Sequence, residues 1–244
     1  MKSISAAFLI IGDEILSGRT NDQNLNFLAT ELTNIGIELK EVRVVRDDED
    51  DIIFAVNNLK NKYDYLFTSG GIGPTHDDIT SKSIAKACGD IYEKNQQAAD
   101  ILIKYYGEKN INNAKLKMAF LPKKATLLDN PISSAPGFCI ENIFVMAGVP
   151  KIFQAMFFAA KKELQTTNKI ESKEVIISLT ESVIANDLGL LQEKYSDISI
   201  GSYPFEGGTA IVFRAKNDKL LEMAVDDILK IINNISSKAI LEVK

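Results

Sequence analysis

Short apolar runs alternate with amphipathic segments through the first two thirds of the chain. The run Ser5–Ile11 ends at a glycine and is typical of a buried strand. Asp22–Ile35 places apolar residues three and four positions apart before Gly36, which predicts a helix with a glycine stop. We predict further strands over Ile37–Val45, Asp64–Thr68, Ala125–Leu128, Gly137–Ile140 and Ile143–Met146, and further helices over Asp50–Leu59, Thr80–Cys88, Glu93–Tyr106, Asn112–Phe120 and Lys151–Leu164. This order predicts an α/β fold, with a parallel or mixed sheet between two helix layers.

The pattern changes near residue 168. Gln165–Lys173 is polar and without periodicity, so we interpret it as a linker. Beyond it the pattern predicts strands and helices in the order βαββα, over Val175–Leu179, Ser182–Lys194, Ile198–Tyr203, Ala210–Arg214 and Leu220–Ile232. That order is typical of a small α+β domain with an antiparallel sheet. We therefore predict two domains, residues 1–168 and residues 169–244.

Composition limits the choice of partners and location. The 28 basic and 33 acidic residues give a net charge of −5, which argues against a nucleic-acid surface. No apolar run approaches the ~18 residues of a membrane span, and Met1-Lys2-Ser3 opens no signal peptide, because acidic residues stand where a cleavage site is needed. Cys88 and Cys139 lack CxxC spacing and are interpreted as buried thiols. We expect a cytoplasmic protein without membrane or nucleic-acid partners.

An acidic loop follows the first predicted strand. It begins with Gly12, Asp13 and Glu14 and ends at Asn24. Ligands of open parallel sheets lie beyond the carboxyl ends of the strands, so these carboxylates are expected over the ligand crevice. Two adjacent carboxylates can bind a divalent cation or accept hydrogen bonds from a ligand. The alternative is that Asp13 or Asn24 only caps a loop or helix, which is the commoner use of such residues.

A glycine-rich loop follows the third predicted strand. Gly70, Gly71 and Gly73 allow positive φ and a close approach of the backbone to a ligand. The loop leads into a helix N-terminus, where free N–H groups favour anions. It lacks the Gly-Lys-Ser/Thr of a Walker loop and the dinucleotide GxGxxG spacing. Hydroxyl groups add donors at Ser69, Thr75 and Thr80. The alternative is a glycine-rich turn before an Asp-capped helix.

Two carboxylates in the same loop, Asp77 and Asp78, would repel a phosphate. A Mg²⁺-like ion that bridges carboxylate and phosphate removes this conflict. The single histidine, His76, is interpreted as a solvated loop residue rather than a general acid or base. A later extended loop, which includes Ala135, Pro136 and Gly137, is a further candidate source of backbone donors to the ligand.

These segments together resemble the molybdopterin-binding family, and within it the CinA (competence/damage-inducible protein A) group. Gly70–Thr80 is similar to that group's GGxGPTxDDxT signature, and Gly12–Asn24 to its GDExLxGxxxDxN element. Asn130–Phe138 resembles its NxxGxAPGF element, although Ser133 stands in the place of the usual glycine, and Met146–Pro150 resembles its PGVP turn.

The resemblance extends to the end of the chain. Thr180–Ser182 and Ile200–Pro204 are similar to the small second domain of CinA proteins. Full-length CinA proteins carry a further domain with nicotinamide mononucleotide deamidase activity, and since this chain ends at Lys244 that activity is expected to be absent. The resemblance also implies self-association, with a dimer expected.

The resemblance implies chemistry at a phosphoanhydride bond. In our preferred hypothesis the protein is a metal-dependent hydrolase that cleaves nucleotide pyrophosphates such as ADP-ribose. Asp13, Asp77 and Asp78 are then the catalytic residues, and together with Glu14 they bind Mg²⁺ or Co²⁺. The residues expected to bind the ligand or its phosphate are Gly12, Asn24, Ser69, Gly70, Gly71, Gly73, Thr75, Thr80, Ala135, Pro136 and Gly137. The alternatives are pterin adenylylation in molybdenum-cofactor biosynthesis, with molybdopterin as ligand, and a non-catalytic ligand-binding module.

Overall fold

The computed structural model describes residues 4–167 and 169–244. The chain divides into two compact units, the first of residues 1–33 and 37–167 and the second of residues 34–36 and 168–244. Met1-Lys2-Ser3, on which the prediction of no signal peptide rests, and Asn168 of the predicted linker lie outside the described residues. Within the described ranges, no helix combines the length and apolar character that crossing a membrane requires.

A six-stranded mixed sheet forms the centre of unit 1. The strands of this unit are β1 (Ile4–Ile11), β2 (Ile37–Val45), β3 (Tyr65–Ser69), β4 (Tyr92–Lys94), β5 (Phe120–Pro122), β6 (Thr126–Leu128), β7 (Gly137–Ile140) and β8 (Ile143–Met146). The six lie in the order β2-β1-β3-β8-β7-β6, and the first four are parallel while β7 and β6 add in antiparallel fashion. Ile10 pairs with Ser69, and Ser69 with Met146, so the carboxyl ends of three parallel strands lie together at one edge.

Helices cover both faces of this sheet. They are α1 (Asp13–Leu16), α2 (Asn24–Asn34), α3 (Glu49–Lys62), α4 (Thr80–Ala87), α5 (Gln96–Tyr106), α6 (Asn113–Lys117) and α7 (Pro150–Ala160). On one face, Leu9 packs in a buried cluster with Val56 of α3. On the other, the rings of Phe8 and Phe153 are 5.7 Å apart, which places α7 there. Neighbouring residues of a strand therefore enter different cores, and the predicted three-layer mixed sheet is confirmed.

Unit 2 is a four-stranded antiparallel sheet with two helices. Its elements are β9 (Glu171–Ile177), α8 (Glu181–Lys194), β10 (Ser199–Phe205), β11 (Gly208–Ala215), α9 (Asp218–Ile235) and β12 (Ile240–Val243). The strands lie in the order β10-β11-β9-β12. Val175 and Phe213 of the sheet are buried in one cluster with Ile184 of α8 and Ile228 of α9. The predicted small α+β domain with an antiparallel sheet is confirmed.

Several local predictions were wrong. The predicted helix Glu93–Tyr106 begins only at Gln96, because the Asn95 side chain accepts the N–H of Ala98 at 2.9 Å and caps the helix there. The residues before this cap form β4, which pairs with β5 across 26 to 30 positions of the chain. The predicted helix Asn112–Phe120 therefore ends at Lys117. Residues 171–173 of the predicted linker belong to β9, and α1 and β12 were not predicted.

Candidate functional site

A cavity of about 540 Å³ lies in unit 1, lined by loops that leave the carboxyl edge of the sheet. Both motifs line it. Glu14 and Thr20 come from the loop after β1, and Gly70–Pro74 come from the loop after β3. Residues of the loop before β7 and of the turn after β8 complete its walls. The volume lies in the range of small-molecule sites.

The glycine-rich loop can come this close to its neighbours only without side chains. Gly70 and Gly71 have φ values of 105° and 67°, which L residues rarely adopt. A Cβ on Gly70 would overlap the carbonyl oxygen of Ile11, and a Cβ on Gly71 would overlap the hydroxyl of Thr80. The N–H of Thr80 donates to the carbonyl of Gly71 at 3.0 Å. The loop is thereby fixed between the end of β1 and the first residue of α4.

Asn24 joins three segments around the cavity. It is 2% exposed, and its Nδ2 donates to the Ser69 hydroxyl at 2.9 Å and to the Gly148 carbonyl at 2.8 Å. The side chain that caps the start of α2 is instead Asp22, which accepts the N–H of Leu25 at 2.7 Å. Asn24 therefore holds the cavity loops in place, and the alternative that it merely caps a helix is wrong.

The four predicted carboxylates occupy different environments. Glu14 and Asp78 line the cavity, whereas Asp13 and Asp77 are exposed and lie outside the set of described residues that line it. Asp13 is paired with Arg46, with 3.5 Å between Oδ1 and Nε. Oδ2 of Asp78 accepts both the N–H and the hydroxyl of Thr75, at 2.7 and 2.5 Å.

The same threonine also affects the pKa of Asp77. The Thr75 side chain, and then the backbone N–H of Asp77 itself, lower the pKa of Asp77 below its ordinary value. The Thr75 hydroxyl makes its short contact, at 2.5 Å, with Oδ2 of Asp78. The side chain of His76 is 97% exposed, as predicted, and its Nδ1 lies 3.8 Å from Oδ1 of Asp77.

Asp47 was not predicted and lies among the acidic groups of both loops. Its Oδ2 accepts the N–H of Asp13 at 3.0 Å. Burial raises the pKa of Asp47, and the negative charges of Glu14, Asp13 and Asp77 raise it further. The loop after β1 and the loop after β3 also line the same cavity. The expected convergence of the two loops is therefore present.

A shared metal was predicted at Asp13, Glu14, Asp77 and Asp78. Across the part of the chain that the structure describes, no three His, Cys, Asp or Glu side chains form a group able to hold a metal ion. The physical reason is visible at the site, because Asp13 is turned toward Arg46 and Asp78 is held by Thr75. The predicted cluster of four metal ligands is not formed. Of the four carboxylates, only those of Glu14 and Asp78 line the cavity.

The loop before β7 is organised by one buried side chain. Asn130 is 3% exposed, and its Nδ2 donates to the Ser133 hydroxyl at 2.6 Å and to the Ala135 carbonyl at 2.8 Å. Its Oδ1 accepts the N–H groups of Ile132 and Ser133. Ser133 and Ala135 line the cavity. The serine that replaces the usual glycine thus takes part in fixing the cavity wall.

The remaining predicted ligand residues differ in position. Gly73 lines the cavity, and a Cβ there would lie 2.7 Å from Oδ2 of Asp78. Pro136 borders a separate depression of about 300 Å³. Gly137 is buried, and a Cβ there would lie 2.6 Å from the Val145 carbonyl, so its small size serves sheet packing. Gly12 donates its N–H to the Val45 carbonyl at 3.1 Å and thereby links β1 to β2.

Some residues of the site gave no local signal in the sequence. Tyr106 and Met118 line the cavity, yet their positions fit ordinary helical packing. Lys117 donates to the carbonyl of Thr75 and brings a cation to the glycine-rich loop. Tyr106 and Met118 line the cavity because they lie at the ends of α5 and α6, and sequence spacing does not reveal where these helices end.

A cavity at the carboxyl edge of an open α/β sheet, with a glycine-rich loop before a helix, defines a small-molecule-binding domain. Residues 7–166 match the family model described as "Probable molybdopterin binding domain", and residues 169–239 match the model of the FAD synthase middle domain. The chain belongs to the molybdopterin-binding domain family, as the resemblance implied.

Relatives with similar sequences place the chain beside CinA-type proteins. A Pyrococcus furiosus protein is 32% identical and covers 91% of this chain and 94% of its own length. A "Putative competence-damage inducible protein" of Clostridium botulinum is 30% identical, and the match covers 91% of this chain and 58% of that protein. The crystal structure of CinA from Thermoplasma acidophilum, a protein with unknown function, is 33% identical with a TM-score of 0.63, and the match covers 66% of this chain and 98% of that one.

Proposed function

We propose that unit 1 binds a phosphorylated nucleotide or pterin, and that it hydrolyses a phosphoanhydride bond in compounds such as ADP-ribose. One observation carries the proposal: backbone of the glycine-rich loop and the carboxylates of Glu14 and Asp78 line the same cavity. Phosphoanhydride chemistry needs these two elements together, because one must bind the phosphate and the other must serve the attacking water.

Phosphate binding falls to the loop Gly70–Gly73. α4 begins beside it, since the N–H of Thr80 donates to the Gly71 carbonyl, and the dipole of a helix N-terminus attracts anions. Asn24 holds the preceding Ser69 in place, and Thr80 holds Gly71. The loop therefore needs little reorganisation when a phosphate binds, which favours affinity.

The two cavity carboxylates have separate roles in this proposal. Asp78 is fixed by Thr75 at the cavity wall, where its carboxylate is available to a cation that accompanies the phosphate. Glu14 accepts the proton of the attacking water, since it is the cavity carboxylate that Thr75 does not hold. Glu14 and Asp78 would also hold a Mg²⁺ or Co²⁺ ion, because such ions are commonly bound by one or two carboxylates plus the phosphate oxygens of the substrate. The ion supplies neutralisation of phosphate charge when bound.

Hydrolysis of ADP-ribose is the direct test. The full chain is incubated with ADP-ribose and Mg²⁺ or Co²⁺, and AMP is measured by chromatography. Glu14→Gln and Asp78→Asn are each expected to lower the rate by at least about 100-fold, the usual size of general acid–base and electrostatic contributions. Asp50→Asn, an exposed carboxylate outside the cavity, is the matched control and is expected to retain the rate. Absence of turnover with either metal contradicts the proposal.

A second candidate function is pterin adenylylation. It is favoured by the match of residues 7–166 to a molybdopterin binding domain. Incubation with molybdopterin and ATP then yields an adenylylated pterin, whereas the pyrophosphatase yields AMP from ADP-ribose without a pterin. Binding of either ligand without turnover is the result expected of a non-catalytic module.

A further inference from the structure

One part of the cavity wall is apolar, in contrast to the polar backbone of the glycine-rich loop. Tyr106, the last residue of α5, contributes to this wall together with Met118. Among the described residues that line the cavity, Tyr106 is the one aromatic side chain. Small-molecule sites combine an apolar or aromatic surface with a few polar groups that fix orientation. The proposed phosphate-binding loop accounts for the polar groups and leaves Tyr106 without a role.

The ring of Tyr106 is held in place by neighbours. It packs against the buried cluster of unit 1, as does Met118. The Tyr105 ring meets it nearly perpendicularly, with 4.9 Å between ring centroids. The ammonium group of Lys115 lies 4.3 Å from the centre of the Tyr106 ring, a cation–π distance, and donates to the Asn110 carbonyl at 2.8 Å. A ring held in this way loses little conformational freedom when a ligand stacks on it.

We propose that Tyr106 is a specificity-determining residue, on which a planar heterocycle of the ligand stacks while its phosphate lies at Gly70–Gly73. The inference rests on the proposed function and extends it to the ligand class. Stacking accepts any flat π-system, so Tyr106 selects compounds that carry a base or pterin ring over ring-free sugar phosphates. A cavity of about 540 Å³ has room for a ligand of nucleotide size.

Paired ligands and paired variants test this selection. Binding of ADP-ribose and of ribose 5-phosphate is measured by titration calorimetry on the full chain in EDTA, so that the proposed metal-dependent hydrolysis does not consume the ligand. Tyr106→Leu is expected to weaken ADP-ribose binding about tenfold, the effect of one stacked ring, and to leave ribose 5-phosphate binding unchanged. Tyr106→Phe keeps the ring and is expected to bind both ligands as the original chain does. Phe54→Leu, which removes an exposed ring of α3 that does not line the cavity, is the control and is expected to do the same.

Spectroscopy covers the case in which Tyr106→Leu does not fold. The chain has no tryptophan, so its near-ultraviolet emission comes from its seven tyrosines. ADP-ribose is expected to reduce this emission, and the reduction is expected to disappear in Tyr106→Phe. Equal binding of ADP-ribose by Tyr106→Leu and the original chain, or equal weakening of both ligands, overturns the role of Tyr106 while the proposed function stands. Failure of the original chain to bind either ligand overturns both.

Discussion

The backbone N–H of Asp13 donates to the carboxylate of Asp47 at 3.0 Å, which joins the segments that follow two adjacent parallel strands. Asp13 comes directly after β1, and Asp47 comes two residues after β2. The bond fixes the start of α1 and thereby the neighbouring Glu14, which lines the cavity. Asp47 is partly buried and lies close to other negative charges. Both conditions raise its pKa, which means that they disfavour its charged form.

Replacing Asp47 with asparagine is expected to stabilise the protein at pH 7. Below pH 3.8 the carboxyl is protonated in both the folded and the unfolded chain, so it contributes nothing to the pH dependence. As the pH rises past 3.8, the unfolded chain releases the proton first, because the folded pKa is raised, and folding loses stability. Asp47→Asn removes this loss and keeps an oxygen for the Asp13 N–H.

The measurement is the Tm of both chains between pH 3 and pH 7. The excess Tm of Asp47→Asn should shrink toward zero as the pH falls to 3. Asp50→Asn, in the first turn of α3, is the control with the opposite sign, since it removes a charge that stabilises a helix N-terminus. A lower Tm for Asp47→Asn at pH 7 would show that the bond to Asp13 requires the full charge.

Two glycines with similar backbone angles should respond differently to alanine. Gly71 and Gly89 have φ values of 67° and 60°, but a Cβ on Gly71 overlaps the Thr80 hydroxyl while a Cβ on Gly89 meets nothing within 4 Å. Gly89→Ala is expected to cost about 1 kcal/mol from backbone strain alone. Gly71→Ala is expected to cost about 3 kcal/mol and to abolish ligand binding, since the loop must move away from α4.

Urea denaturation gives the two free energies of unfolding, and calorimetry with ADP-ribose gives the affinities. Unchanged affinity in Gly71→Ala would mean that the glycine-rich loop does not bind the phosphate.

Removal of the Asn24 side chain should destabilise the loops that surround the cavity. In Asn24→Ala the Ser69 hydroxyl and the Gly148 carbonyl lose a buried donor, which is expected to destabilise the protein by about 2 kcal/mol. Asn26→Ala, at an exposed position of the same helix, is the control and is expected to change stability by less than about 0.5 kcal/mol. Affinity for the phosphorylated ligand should fall only in Asn24→Ala, as checked by the thermal shift that the ligand produces.

The carboxylate of Asp227 should stabilise unit 2 only above acidic pH. Lys194 and Tyr195 donate to its Oδ2 at 2.6 and 2.8 Å and lower its pKa from 3.8 to about 2. A lowered pKa gives stability that is complete above the unfolded value of 3.8 and is lost as the pH falls through about 2.

Asp227→Asn is expected to reduce the free energy of unfolding by about 1 kcal/mol at pH 7, because the pair is partly screened by solvent. The difference should disappear near pH 2. Asp226→Asn, exposed on the same helix, provides the comparison and should have a smaller effect at pH 7. Urea denaturation at both pH values measures these differences, and an equal loss in the two variants would contradict the assignment.

The sequence predicted the parts of the site that lie on continuous segments. Gly70–Gly73 follow a short apolar run and precede a helix, so the rule for strand-end loops placed them correctly, and the same rule brought Glu14 to the cavity. The same rule applies to Asp47, which follows β2. It was not predicted as a site residue because it is followed by Asp48, Glu49 and Asp50, and acidic residues at the start of a helix are explained by the helix dipole.

Other features depend on contacts between distant parts of the chain. The strand pair of Tyr92–Lys94 with Phe120–Pro122 joins segments on either side of α5, and three-residue strands carry little periodicity. Tyr106 shows the helical spacing of a core residue, and its exposure to the cavity depends on where α5 ends. The Asp13 carboxylate pairs with Arg46 and does not line the cavity. This pairing depends on the register of β1 with β2, which the sequence does not reveal. The dimer expected from the resemblance stays a prediction.

Asn24 connects residues 45 and 124 positions further along the chain, and this span has a consequence for biosynthesis. The Gly148 carbonyl is brought beside it only when β8 has joined β3, because the turn that contains it follows that strand. Long-range closures of this kind form late, after the entropy of the intervening chain has been lost. During synthesis the glycine-rich loop therefore emerges well before its anchor is complete, and the hydrogen bond of Asn24 to Gly148 can form only after residue 148 has left the exit tunnel.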